Sequence, residues 1–347
     1  MSDIRIYDFE FNLLAVMCDV ISSQWKIHYR GIGTFEGHFR LEDKITDVIL
    51  SNKYIVIVQG DLQAICTGKI VSNELVVCGR TVNWILTKRV RPPFKTSKIF
   101  KNQYTDPETI LLYCLKLGLT EPPTVDDLGY EIDGTIDENK KIDNFIIPVA
   151  VGSQKLENHF WRNSANDLAT LTDDLCKKLN RGYRVIFDIK NKCWEFEFLY
   201  PKENNILISD EANTAYEVSY SEDLLNHAGA GWYSEIESES ENTESEYLWH
   251  YINNTKKTGI YLWDDVLEGV GKSEAEDELL KKQITEKIEA KLRGLKYGKD
   301  YNIGDIVSVY VRFGSFKRLS KYFVSGVNIS MSTYKSFEEP VLTLFEE

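Results

Sequence analysis

What this chain lacks narrows its chemistry before any motif is read. No uninterrupted apolar run reaches the ~18 residues of a membrane span. The N-terminus, Ser2-Asp3-Ile4-Arg5, has no basic stretch leading into an apolar one, so no secretory signal is expected. The six cysteines (Cys18, Cys66, Cys78, Cys114, Cys176 and Cys193) include no CxxC pair. In a chain of 347 residues they read as reduced, mostly buried small apolar side chains made in a cytosol. Cys66 and Cys78 could face each other across a hairpin, but a disulfide there is not expected.

The five histidines (His28, His38, His159, His227 and His250) are scattered, with no pair at zinc-ligand spacing. HExxH, GxSxG and GxxxxGK(S/T) are all missing, so the usual metalloprotease, hydrolase and nucleotide signatures are absent. Gly31-Ile32-Gly33 is too short for a dinucleotide loop and reads as a hairpin turn. Basic charge is short too. Lys and Arg number 41 against 54 Asp and Glu, a net charge of −13, the wrong sign for a nucleic-acid-coating surface. No catalytic, cofactor-binding or metal-ligating residue is singled out. No cofactor, membrane or sequence-specific nucleic acid is expected as a partner.

What is there is mostly strand pattern. Residues 3–94 read as all-β. Trp25, Ile27 and Tyr29 share one face of a strand, and Phe35, Gly37, Phe39 and Leu41 one face of the next. Strands at 54–58, 61–71 and 75–78 follow, then a short helix over 81–90 that Pro92-Pro93 stops. Residues 95–182 change character. Asp106-Pro107 opens a helix carrying Ile110, Leu111, Cys114 and Leu115, with Gly118 at its stop. Residues 122–141 read as a polar insertion with an Asp133-Gly134 turn, and 145–151 as a strand. Ser164 is expected to cap a helix with Leu168, Leu171, Leu175 and Leu179 at helical spacing.

Strands return at 183–189, 193–199 and 215–220. The Glu/Ser alternation over 235–246 reads as a solvated loop. Ser273-Glu274-Ala275-Glu276 resembles a capping box, and Leu280, Ile284, Ile288 and Leu292 then predict one long amphipathic helix ending at Gly294. The most telling stretch follows it. Asn302-Ile303-Gly304-Asp305 carries turn chemistry, and Ile306, Val307, Val309 and Val311 read as a strand of branched residues. Further strands close the chain at 322–330 and 341–345.

These residues together resemble the ReqiPepy-type tail protein family of siphoviruses and prophages. Four stretches carry the likeness: Trp25 to Leu41; Gly68-Lys69-Ile70 with Leu75 to Arg80 and Arg89-Val90; Leu168 through Gly182-Tyr183 to Ser221; and Tyr301 to Val309. Residues 121–144 and 230–265 match nothing in the family pattern, and its arginine-rich part is carried only by Arg80, Arg89 and Arg91. The family is related to the baseplate hub proteins of contractile phage tails.

The resemblance implies a mainly β fold with α+β insertions: two β-barrel-like, tail-tube-type domains plus α/β insert regions. The first hub domain would be 1–94, followed by an α/β insert at 95–182. The second would combine 183–220 and 301–347, with 221–300 an insert holding the acidic loop and long helix. The resemblance also implies a non-enzymatic structural role at the tail tip, as a homotrimeric ring adapting the tail tube to the tip or spike. Partners would be the chain itself, the tail-tube or distal tail protein, and the tip or spike protein. The place of work would be the virion tail, with synthesis and assembly in the host bacterial cytoplasm.

Two other readings stand beside it. A tail-tip carbohydrate-binding protein would show an exposed aromatic groove around Trp232, Tyr233, Trp249, Tyr251, Tyr261 and Trp263. A cell-wall hydrolase is the weaker alternative: Asp264-Asp265 beside Trp263 is the least ordinary acid pair, and the sequence reaches Glu347 directly after the closing strands, with no appended enzyme expected.

Overall fold

A computed structural model describes residues 3–18, 20–90, 106–125, 131–151, 167–225, 227–236, 247–253, 263–270, 272–282, 285–333 and 335–345. The fold is mainly β, with predominantly antiparallel sheets. It divides into two compact units, residues 1–218 with 289–347, and residues 219–288.

The first unit starts with β1 (Ile4–Asp8), β2 (Leu13–Met17), β3 (Val20–His28), β4 (Thr34–Phe39), β5 (Ile55–Gln59), β6 (Leu62–Val71) and β7 (Leu75–Thr81). Alternation places Trp25, Phe35 and Phe39 inside, where Trp25 and Phe35 rings pack 4.4 Å apart. Trp25 also needs a partner for its indole N–H. It donates to Gln59 Oε1 at 2.7 Å, and the Ser23 hydroxyl donates to the same oxygen at 3.0 Å, so this buried polar cluster is satisfied. A 3-10 stretch of about two turns, Val82–Lys88, follows β7 where the short helix is expected.

The late strands are β13 (Lys202–Ile208), β14 (Ala215–Asp223), β18 (Thr285–Leu292), β19 (Asp305–Phe313), β20 (Phe316–Ser332) and β21 (Ser336–Leu344). They do not form a second, separate domain. Strand β20 is long enough to serve two neighbours on one side. Phe316 to Phe323 pairs with β19, and Gly326 to Ser332 pairs with β3, while β21 runs along the other side. The two β blocks therefore share one sheet, ordered β14-β18-β21-β20-β3-β4-β7-β6-β5-β1-β2, with β19 and β13 branching from β20. Among the described residues no sheet closes into a barrel.

Helices α2 (Pro107–Leu115) and α3 (Leu168–Lys178) pack on a separate small sheet of β10 (Phe145–Ile146), β12 (Cys193–Leu199) and β11 (Gly182–Asp188). The hairpin over 182–199 thus belongs with the insert helices rather than with the late β block. Its apolar side explains why: Tyr183, Phe187, Trp194 and Phe196 share one core with Leu111, Leu115, Leu168 and Leu171 of the helices. Asp106 caps α2 as expected, accepting the N–H groups of Glu108 and Thr109. Asp167 caps α3, accepting Thr170 N at 2.9 Å; the expected cap Ser164 lies outside the described residues. Gly118 does not stop α2. The chain continues in a wider turn, Lys116–Thr120, and Gly118 lets Leu168 approach to where a Cβ would be 2.4 Å away. The polar insertion forms a hairpin of β8 (Pro123–Val125) and β9 (Glu131–Ile136), with Gly134 inside β9 rather than at the turn.

The second unit is a sheet ordered β16 (Tyr247–Asn253), β15 (Ala230–Ile236), β17 (Asp264–Val270), covered on one face by α4 (Lys272–Lys281). Residues 237–246 of the acidic run lie outside the described residues. The expected long helix is corrected here. Only 272–281 is helical, and β18 takes over at Thr285. A spacing of four serves both structures, because it is one helical turn or two strand pairs. Ile288, Ala290 and Leu292 are buried with Lys287 and Glu289 out, so the local period is two. Lys291, in β18, pairs with Glu217 on β14. Helix α1 (Asp43–Ser51) and strand β13 have no counterpart in the expected element order.

On β4, His38 lies between Glu74 (2.9 Å), in the turn before β7, and Glu36 (3.0 Å). Hydrogen bonds to Glu74 and then Glu36 raise its pKa above 6.5. A raised folded pKa gives stability that is fully present below the unfolded value and lost as pH rises through the folded one. Relative to His38→Gln, the protein should lose up to about 1 kcal/mol between pH 6 and 8.5. Thermal melts of both across that range measure it.

Candidate functional site

The point where β19 and β3 part from β20 is built around one side chain. Tyr29 N donates to Ser325 O at 2.8 Å, its carbonyl accepts Tyr183 N at 3.1 Å, and its hydroxyl donates to Leu199 O at 2.8 Å. Its ring meets Phe323 edge-on at 4.8 Å. One residue therefore ties β20, β11 and the end of β12 together. Burial pushes its hydroxyl up to about 12, so it stays a donor.

Two glycines make room for it. Gly304 has φ +92, and a Cβ there would lie 2.8 Å from the Tyr29 ring; a Cβ at Gly182 would lie 2.3 Å from Tyr29 O. The turn chemistry expected at 302–305 is present. Asp305 Oδ2 accepts Asn302 N at 2.8 Å and Asn204 Nδ2 at 2.7 Å, tying the turn to β13. Tyr301 donates to Glu338 Oε2 at 2.9 Å, and that carboxylate also accepts Tyr297 N at 2.7 Å. Burial, then the Glu338 charge, raises the Tyr301 pKa.

Beside the fork lies a cleft of about 550 Å³, lined by Trp25, His28, Asp61, Gln63, Arg184 and Asp188 among others. Three of its polar groups are held in structural work. Gln63 donates to Phe187 O and accepts Phe187 N, Arg184 pairs with Glu197, and Asp188 accepts Lys190 N, Asn191 N and Asn191 Nδ2 at the hairpin turn. Burial, then Lys26, lowers the His28 pKa, so its imidazole is neutral at pH 7.

A buried ion pair sits nearby. Glu108 and Arg181 are 2.9 Å apart, with Glu108 almost wholly buried. Val151 N donates to Glu108 at 3.1 Å, Arg30 Nε donates to Arg181 O at 2.8 Å, and the Arg181 guanidinium lies over Phe198 and Tyr200.

In the second unit the Asp264–Asp265 pair is divided by the strand it sits on, since neighbours in β17 face opposite ways. Asp264 accepts Trp232 Nε1 at 3.1 Å, while Asp265 pairs with Lys282 at 2.6 Å. The Lys282 hydrogen bond, then Val266 N, lowers the Asp265 pKa, so it is no proton donor near neutral pH. The two do not converge on one reacting atom, as paired glycosidase carboxylates must. The expected aromatic groove is split likewise. Trp232, Trp249, Tyr251 and Trp263 are exposed; Tyr233 is buried and stacks on His250; Tyr261 lies outside the described residues.

Among the described residues no three His, Cys, Asp or Glu side chains gather as metal ligands, all six cysteines are free thiols, and no helix is long and apolar enough to cross a membrane. Cys66 pairs in register with Gly79 rather than with Cys78.

The sequence model of the family described as Siphovirus ReqiPepy6 Gp37-like protein matches residues 3–236. Among solved structures, the tail protein from Neisseria meningitidis MC58 aligns with a TM-score of 0.53 at 11% identity, covering 99% of this chain and 96% of that one. The 43 kDa tail protein of prophage MuSo2 from Shewanella oneidensis aligns at 0.53 with 9% identity, covering 98% of each. Prophage tail protein gp18 from Listeria monocytogenes EGD-e aligns at 0.50 with 13% identity, covering 99% and 94%. At such identities the likeness is one of fold. A comparison with curated proteins finds no match.

Proposed function

The chain belongs to the siphovirus tail-protein family described as ReqiPepy6 Gp37-like, and from that premise we propose that it is a baseplate hub subunit, closing into a ring that adapts the tail tube to the tip or spike. As a phage or prophage tail protein its place of work is the virion tail. Synthesis and ring assembly in the host bacterial cytoplasm belong to the proposal.

The observation that carries the ring is the open sheet. Its path ends in β2 on one side and β14 on the other, each with one ladder neighbour among the described residues. Strand β2 reads Leu-Leu-Ala-Val-Met, with Leu13 and Val16 exposed and no Lys or Pro to blunt it. An apolar, unblunted edge invites pairing with another chain. Two different edges on one subunit make a head-to-tail contact, which closes when the rotation between copies divides the circle. Three copies are proposed. Each subunit brings two β blocks, 1–94 and the late strands, joined in one sheet, and the six blocks of three copies would match a hexameric tube. The inserts at 95–182 and 221–300 would carry contacts to the tip.

Lysine on the free edge tests this. Leu13→Lys with Val16→Lys alters exposed side chains, so the subunit should melt within about 0.5 kcal/mol of wild type. It should fail to form trimers and to copurify with tail-tube protein. Trimer formation at the wild-type level by this variant would overturn the edge contact.

A further inference from the structure

The face of the second unit opposite α4 carries an aromatic strip. In the β15–β16 ladder Trp232 lies across from Tyr251, and Ser234 from Trp249. In the β15–β17 ladder Trp232 lies beside Val266, and Ala230 beside Asp264. Directly paired residues share a face, so Trp232, Tyr251, Trp249, Val266 and Asp264 stand together. Trp232 is 41% exposed, Tyr251 45%, Trp249 55% and Val266 60%. The Trp232 and Tyr251 rings lie 5.1 Å apart at 59°, and Asp264 Oδ2 holds the Trp232 indole N–H at 3.1 Å. The hydrophobic core of the unit, Tyr233, Leu267, Ala275 and Leu279, is on the other face, so the strip is not needed to fold it.

We propose that this strip is a binding platform for an uncharged saccharide. Three arguments select that occupant. Half-exposed, the three rings offer on the order of 350 Å², well below the ~800 Å² per partner of a stable protein interface. The C–H face of a pyranose carries slight positive charge and fits the negative face of an indole or phenol ring. Asp264 and the exposed Asn253 at the end of β16 stand at the margin, where they accept and donate to sugar hydroxyls. Charge then sets the class. Residues 219–288 hold 16 Asp and Glu against six Lys and Arg, a net −10 of the chain's −13. A polyanionic polysaccharide or a nucleic acid would be repelled, and a neutral chain of hexose or N-acetylhexosamine would not. This role is separate from ring formation, which uses the edges of the other sheet.

The test titrates the full-length protein with chitotetraose, maltotetraose and a hyaluronate tetrasaccharide. Tryptophan fluorescence and saturation-transfer NMR report the contact. A neutral tetrasaccharide should bind and the hyaluronate should not. Trp249→Ala and Tyr251→Ala should each weaken binding about tenfold or more, while Tyr54→Ala, an exposed aromatic of the first unit, leaves it unchanged. Circular dichroism of each variant should match wild type, since the altered rings are exposed. No binding of either neutral probe at 10 mM, at roughly the weak limit of useful affinity, overturns the proposal. So does binding that survives both substitutions, or a Trp249→Ala variant whose only change is a smaller oligomer, which would make the strip a protein contact.

Discussion

Tyr29→Ala is expected to destabilise the first unit by about 3–5 kcal/mol, the range for emptying a buried aromatic site. For a unit of this size that lowers its melting temperature by roughly 10 °C. The ring fills the fork between β3, β19 and β20, against Phe323 and under Gly304. The backbone bonds of Tyr29 to Ser325 and Tyr183 survive the change, so the loss measures the side chain. Tyr29→Phe separates its parts. It keeps the packing, loses the bond to Leu199 O, and should cost about 1–2 kcal/mol. A Tyr29→Ala protein that melts within 2 °C of wild type would show that the fork is held elsewhere.

Glu108→Ala should cost a similar 3–5 kcal/mol for a different reason. It leaves the Arg181 guanidinium, 14% exposed at its side chain, without the carboxylate that sits 2.9 Å away. The price is the uncompensated charge rather than the lost contact, so the second change tells them apart. Glu108→Leu with Arg181→Met removes both charges and should recover most of the stability. Urea denaturation of the two single variants and the double one gives the cycle. Simple additivity would contradict the buried-pair account.

Local chemistry was the legible part of this chain. Asp106 caps its helix, Gly304 takes the positive φ its turn needs, and the strand over 306–313 lies where its branched residues place it. The hairpin of β6 and β7 turns between Val71 and Leu75, where the strands read at 61–71 and 75–78 meet. The family resemblance was legible too, through short stretches of alternation set beside glycines.

What failed was anything decided by a distant partner. Leu280 to Leu292 satisfies helix and strand spacing alike, and only the pairing of β18 with β14 and β21 chooses strand after 285. Strand β13, Lys202–Ile208, is largely polar, and its parallel ladder with β19 about 100 residues later is what orders it. The β3–β20 ladder joins residues some 300 apart, so no local pattern could announce that two β blocks form one sheet. In the aromatic strip, alternation predicts that Trp232 and Tyr233 part company. The sequence does not say which of them faces the helix, because both rings suit a core or a surface.

The ring is the claim on which the functional account turns, and its most direct measurement is the mass of the assembled species. Native mass spectrometry of the full-length chain, coexpressed with its tail-tube and tip neighbours, should find complexes holding three copies. The Leu13→Lys, Val16→Lys protein should yield none. A subunit that enters those complexes as a single copy, or that never copurifies with tube or tip protein, would contradict the hub reading.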